Sequence, residues 1–196
     1  ADRTILVSAF GFDLTQKNLF GPLLCGGAVV IPAMDEYDAE VVAADINQAA
    51  AEESAQLAWD LGAVAHSYKV DVGNAKAMEK FADWVQHQLG APDIVVNNAG
   101  IGMAGKFLDT HIDDWEKILH VNLWGVIHGS RLFARQMVDA AIAGTIVNVS
   151  SGLGYMPSRM LPAYATTKAA VLMLNDCIRA ELADDSIHVV SVCPGV

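Results

Sequence analysis

A chain of 196 residues that is 53% hydrophobic and 18% charged can form one domain with a substantial core, which excludes a disordered chain. A net charge of −11 and a sequence pI of about 4.7 leave no basic surface for phosphates or anionic headgroups, which excludes nucleic acid and membrane as partners. Cys25, Cys177 and Cys193 are too few and too scattered for a disulfide framework, and the six histidines show no metal-binding pair, so a reducing cytoplasm and no metal are expected.

The chain opens with "TILVSA" from Thr4, which reads as a strand, then "DLTQKNLFGPLL" as a helix and "GGAVVI" as a further strand. Pro22, Gly26, Gly27 and Pro32 break the longest apolar run, about residues 19–34, before it reaches the roughly 20 residues a bilayer requires. No basic region followed by a short apolar segment opens the chain, so no secretory signal is read. The acidic stretch "AMDEYDA", residues 33–39, marks a shift in composition, and the chain divides there into segments 1–38 and 39–196.

From residue 40 onward short β-branched runs alternate with segments of helical period. Strands are expected at 41–45, 65–70, 93–97, 144–149 and 187–193, and helices at about 47–61, 75–89, 113–139 and 162–183. Met78, Phe81, Ala82, Val85 and Leu89 make one apolar stripe; Trp115, Ile118, Leu119, Val126 and Phe133 make another. Such alternation specifies an α/β fold, a doubly wound parallel sheet of Rossmann-like type with helices on both faces in three α/β/α layers.

Tyr164 and Lys168, four apart in "YATTK", share a helix face. As an isolated pair they would be an ordinary surface contact. Thirteen residues before Tyr164, however, Ser151 ends the buried strand "GTIVNVSS", and "DIVVNNAG", residues 93–100, ends at the same rim, where open α/β sheets place their ligands. Asn122 lies on the inward stripe of its helix, where a polar side chain needs a partner; a structural bond to a neighbouring strand would satisfy it equally well. Asp45 closes the second strand, in "VVAADIN", where an acid accepts hydrogen bonds from adenosine ribose hydroxyls and repels a 2′-phosphate, favouring NAD over NADP; the bland alternative is a helix N-cap.

In order and spacing, "NNAG" at 97–100, "VNLWGV" with Asn122, Ser151, "YATTK" and "CPG" at 193–195 resemble the short-chain dehydrogenase/reductase family over residues 39–196. The resemblance implies hydride transfer between NAD(P)(H) and a small-molecule alcohol or ketone. It makes Tyr164 the acid/base, Ser151 the donor to the substrate oxygen, Lys168 the ribose-binding cation that lowers the phenol pKa, and Asn122 the end of a water-linked proton relay. Asp71 resembles the family's adenine-contacting acid, and Val72, Asn98, Ala99, Gly100, Pro194 and Gly195 fall on its cofactor-lining positions. The family also implies a homo-dimer or tetramer built on the helices at 113–139 and 162–183, where Trp124, Leu172 and Met173 exceed one core stripe.

Residues 4–38 differ from that pattern. Laid over the family's TGxxxGxG turn, "SAFGFDLT" puts Ala9, Asp13 and Thr15 at the three glycines, and Ser8 to Asp45 spans 37 positions, longer than one strand–turn–helix step. "FGFDLTQKNLFGPLLCGGAVVIP" resembles instead an internal piece of a nonribosomal peptide synthetase adenylation domain. The expectation is an atypical N-terminal strand–helix–strand segment with weak NAD binding, on a body that stops short of the family's substrate-side lid. A catalytically impaired remnant or scaffold of the same fold is the alternative.

Overall fold

The computed structural model describes residues 3–7, 40–60 and 62–195. Six strands run through them: β1 (Arg3–Val7), β2 (Glu40–Asp45), β3 (Val64–Lys69), β4 (Ile94–Asn97), β5 (Gly144–Val149) and β6 (Ile187–Val192). All pair in parallel, in the order β3-β2-β1-β4-β5-β6. The helices are α1 (Gln48–Asp60), α2 (Ala75–Gln88), α3 (Ile112–Leu119), α4 (Gly125–Asp139) and α5 (Pro162–Glu181).

Successive strand residues point to opposite faces. In β2 the last four residues are all buried and in β4 the last three, so helices cover both faces of the sheet's middle. At the edge, β6 alternates buried Ile187 and Val189 with exposed His188 and Val190, leaving one face open. The core lies where α2 and α4 meet the sheet: Met78, Phe81 and Val85 from α2 and Phe133 and Met137 from α4 are excluded from solvent. Phe81 and Phe133 meet edge to face, 5.8 Å between ring centres.

The Rossmann-like α/β fold expected from the alternation is present, with element ends moved by one or two residues. One expectation is corrected. The single helix predicted over 113–139 is two helices joined by a π-helical turn, His120–Trp124, that carries Asn122 at its centre. A π turn holds one residue more than an α turn and rotates the side chains that follow. The helix and extra strand expected within residues 8–38, the altered glycine turn with Ala9, Asp13 and Thr15, and the 33–39 seam lie outside the described residues.

Candidate active site

Strand register puts the predicted site residues along one rim. Val7 pairs with Ala44 on one side and Asn97 on the other, Asn97 with Asn148, and Asn148 with Ser191, so the carboxyl ends of β2, β1, β4, β5 and β6 are level. Strand order reverses between β1 and β4, and ligands of open α/β sheets bind beyond the strand ends at such a point. Just past this rim stand Asp45, Asp71, Asn98 to Gly100, Ser151 and Pro194.

Lys168 is the most constrained member. Its side chain is buried, its Nζ donates to Val149 O at 2.8 Å and lies 5.6 Å from the centre of the Tyr164 ring. Desolvation lowers its pKa from 10.5 to about 8, with a smaller opposing Coulombic influence from nearby Cys193. The helix around Lys168 is tied to the end of β5: Ser150 Oγ donates to Lys168 O at 2.8 Å, and a Cβ on Gly154 would come within 3.0 Å of that same carbonyl. Ser151, at the strand end, accepts from Leu153 N at 3.2 Å and caps the 3₁₀ turn Gly152–Gly154, while Gly152 N donates to Pro194 O at 3.0 Å. Both Ser151 and the β6 exit are thereby held beside Tyr164's helix. Leu172, expected to be surplus to the core, is half-buried against Gly154.

Asn122 is fully buried, and its amide is used. Its Oδ1 accepts from Ile101 N at 2.8 Å, and its Nδ2 donates to Ile101 O at 3.0 Å and to Thr167 Oγ1 at 3.2 Å. The partner is the loop after β4, together with α5, and not a strand as the bland alternative had it. Gly100 lies between the two key polar groups: a Cβ there would be 3.5 Å from Lys168 Nζ and 3.6 Å from Asn122 Oδ1. Such a cradle fits a flat group resting on bare backbone.

At the other end of the cleft Asp45 is buried and accepts from Asn47 N at 2.8 Å. The α1 cap falls to Asn47, whose Oδ1 accepts from Ala49 N at 3.1 Å, so Asp45 is not the N-cap. Asp71 Oδ1 accepts from Gly73 N at 3.0 Å and its Oδ2 lies 3.1 Å from His120 Nε2. Val72 and Ala99, with Asn97, Gly125 and Val126, line one small packing gap too narrow for a water molecule. Gly195 has nothing within 4 Å of a built Cβ, so packing does not require glycine there. Among the described residues no group of three His, Cys, Asp or Glu could hold a metal ion, and no helix is long and apolar enough to cross a membrane.

Sequence reasoning missed the buried amide ladder beneath this rim. Asn97 Nδ2 donates to Asn148 Oδ1 at 2.7 Å, Asn148 Nδ2 to Asn175 Oδ1 at 2.6 Å, and Asn175 Nδ2 to Ser191 Oγ at 2.6 Å. It ties β4, β5, α5 and β6 together one residue below Asn98 and Val149. The signal was there: an Asn inside the apolar run "GTIVNVSS" needs a polar partner.

The sequence matches the short chain dehydrogenase family over residues 26–196. It is 46% identical over 158 residues to "Probable oxidoreductase EphD" of Mycobacterium tuberculosis, an alignment that takes in 81% of this chain and 27% of that protein's length. The fold superposes on a gluconate 5-dehydrogenase from Burkholderia cenocepacia in complex with NADP and tartrate at TM-score 0.82, with 28% identity, over 100% of this chain and 72% of the other. It superposes on an NAD+-bound xylitol dehydrogenase at TM-score 0.83, with 27% identity, over 99% and 70%.

Proposed function

Since the chain belongs to the short-chain dehydrogenase/reductase family, we propose that it is an oxidoreductase that moves a hydride between a nicotinamide cofactor and a small-molecule alcohol or ketone. The observation that carries this reading is the buried Lys168 ammonium, fixed on Val149 O beneath the Tyr164 ring at the sheet's carboxyl rim. A relative at 46% identity carries an oxidoreductase name, and structures of like fold hold NADP or NAD+.

When bound, the cofactor supplies or accepts the hydride. The chain's residues do the rest. Tyr164 Oη gives a proton to the substrate oxygen in reduction and takes it in oxidation, and Ser151 Oγ donates a hydrogen bond to the same oxygen. Lys168 sets its ammonium 5.6 Å from the centre of the Tyr164 ring and reaches the ribose hydroxyls. Asn122 fixes the Ile101 backbone beside Gly100 and ends the proton path. Asp45 holds the adenosine ribose, Asp71 and Val72 the adenine, and Asn98, Ala99, Gly100, Pro194 and Gly195 line the nicotinamide side. The four catalytic positions are intact, so nothing in them favours the impaired-remnant alternative. Free thiols at Cys177 and Cys193 suit a reducing, cytoplasmic setting.

Calorimetric titration with NAD and NADP tests the cofactor reading. NAD should bind about tenfold more tightly than NADP, because Asp45 repels a 2′-phosphate, and Asp45→Ser should erase that preference. Equal affinity for both in the unaltered chain would contradict the role of Asp45, and binding of neither would contradict the reading as a whole.

A further inference from the structure

The cofactor reading leaves His120 without a task, yet the π-helical turn aims it at Asp71. His120 Nε2 lies 3.1 Å from Asp71 Oδ2. A carboxylate cannot donate, so Nε2 carries the proton and His120 is the donor. The other oxygen, Oδ1, is held by Gly73 N at 3.0 Å, so both oxygens are fixed and each keeps a lone pair. The imidazole also covers Gly73 closely enough that any Cβ at that position would run into the ring.

The same helical face grips the rest of the turn. His128 Nδ1 donates to Val72 O at 3.0 Å, with the Trp124 ring stacked on the imidazole of His128 at 5.7 Å, and Gly125 approaches Val72 so closely that a Cβ would lie 2.7 Å from Val72 Cγ2. Residues 71–73 are therefore clamped from one side by the π turn and the start of α4. One end of that π turn sets Asp71 and its middle sets Ile101 through Asn122, so a single irregular turn orders both ends of the cleft.

Resting on the cofactor reading, we propose that His120 is a positioning residue for the adenine end of the cofactor, acting through Asp71 and the 71–73 turn. It touches no reacting atom.

The test is calorimetric titration of the unaltered chain, His120→Ala, His120→Gln and Gly73→Ala with NAD and with nicotinamide mononucleotide, which lacks adenine. Loss of one charge-assisted hydrogen bond predicts NAD binding about tenfold weaker in His120→Ala, with nicotinamide mononucleotide unchanged. His120→Gln restores a side-chain N–H donor and should recover most of the NAD affinity. Gly73→Ala, whose methyl displaces the imidazole, should reproduce the His120→Ala loss. Unchanged NAD affinity in His120→Ala overturns the proposal. Equal weakening of both ligands also overturns it, because His120 would then merely support the fold. If the unaltered chain binds neither ligand, the cofactor reading fails first and this inference falls with it.

Discussion

Lys168 and Val149 stand 19 positions apart and meet in a 2.8 Å hydrogen bond from a buried ammonium to a strand-end carbonyl. That bond fixes the cation beneath Tyr164 and keeps it from water. Function and stability conflict at this residue.

The conflict can be measured. The folded pKa of Lys168 is lowered to about 8 against 10.5 unfolded, so between those values the unfolded chain binds more protons and stability rises with pH. Below pH 8 the buried charge costs the fold about 3 kcal/mol. Lys168→Met removes that cost and leaves Val149 O without its donor, a loss of about 1 kcal/mol. The variant should be about 2 kcal/mol more stable than the unaltered chain in urea unfolding at pH 7, with the gain gone near pH 10. It should also have no turnover. A destabilised variant at pH 7 would show that the ammonium helps the fold.

The amide ladder predicts the opposite sign. Asn175→Leu leaves Asn148 Nδ2 and Ser191 Oγ without their Asn175 partners in a buried seam, at a cost of about 3 kcal/mol. Denaturant unfolding should show this. A change below about 0.5 kcal/mol would mean that the ladder contributes little.

Gly100→Ala separates fold from binding. Its Cβ finds ordinary contact distances of 3.5 and 3.6 Å, so thermal unfolding should be unchanged within a degree or two. The methyl fills the cradle between Lys168 and Asn122, and NAD affinity should fall at least about tenfold. Retained affinity would place the nicotinamide elsewhere.

Assembly is the fourth test. Trp124 is 51% and Met173 67% exposed, apolar surface on the two helical segments expected to pair between copies. Light scattering at micromolar concentration should report a dimer or tetramer. A monomer alone would remove that expectation.

The parallel sheet was legible because its middle strands, β2 and β4, are buried on both faces and the strands read as short β-branched runs between helical stripes. Spacing placed Tyr164 and Lys168 on one helix face and Ser151 at a strand end, and only the resemblance to a family turned that placement into a candidate site. The π turn was not. Ile118, Asn122 and Val126 recur four apart, which an unbroken α-helix also produces, so the extra residue leaves no trace in the apolar period. Nor was His120, whose partner Asp71 is 49 positions away and is reached only through that turn.

Hydride transfer itself tests the central claim most directly. With NADH deuterated at the transferring carbon and a broad panel of ketones, mass spectrometry of the alcohols formed shows whether deuterium reaches the carbinol carbon. The unaltered chain should deliver it to at least one ketone, and Tyr164→Phe, which keeps the ring and removes the hydroxyl, should deliver none above background. Equal deuterium delivery by Tyr164→Phe would contradict the role given to Tyr164, and none from the unaltered chain on any ketone would contradict the activity.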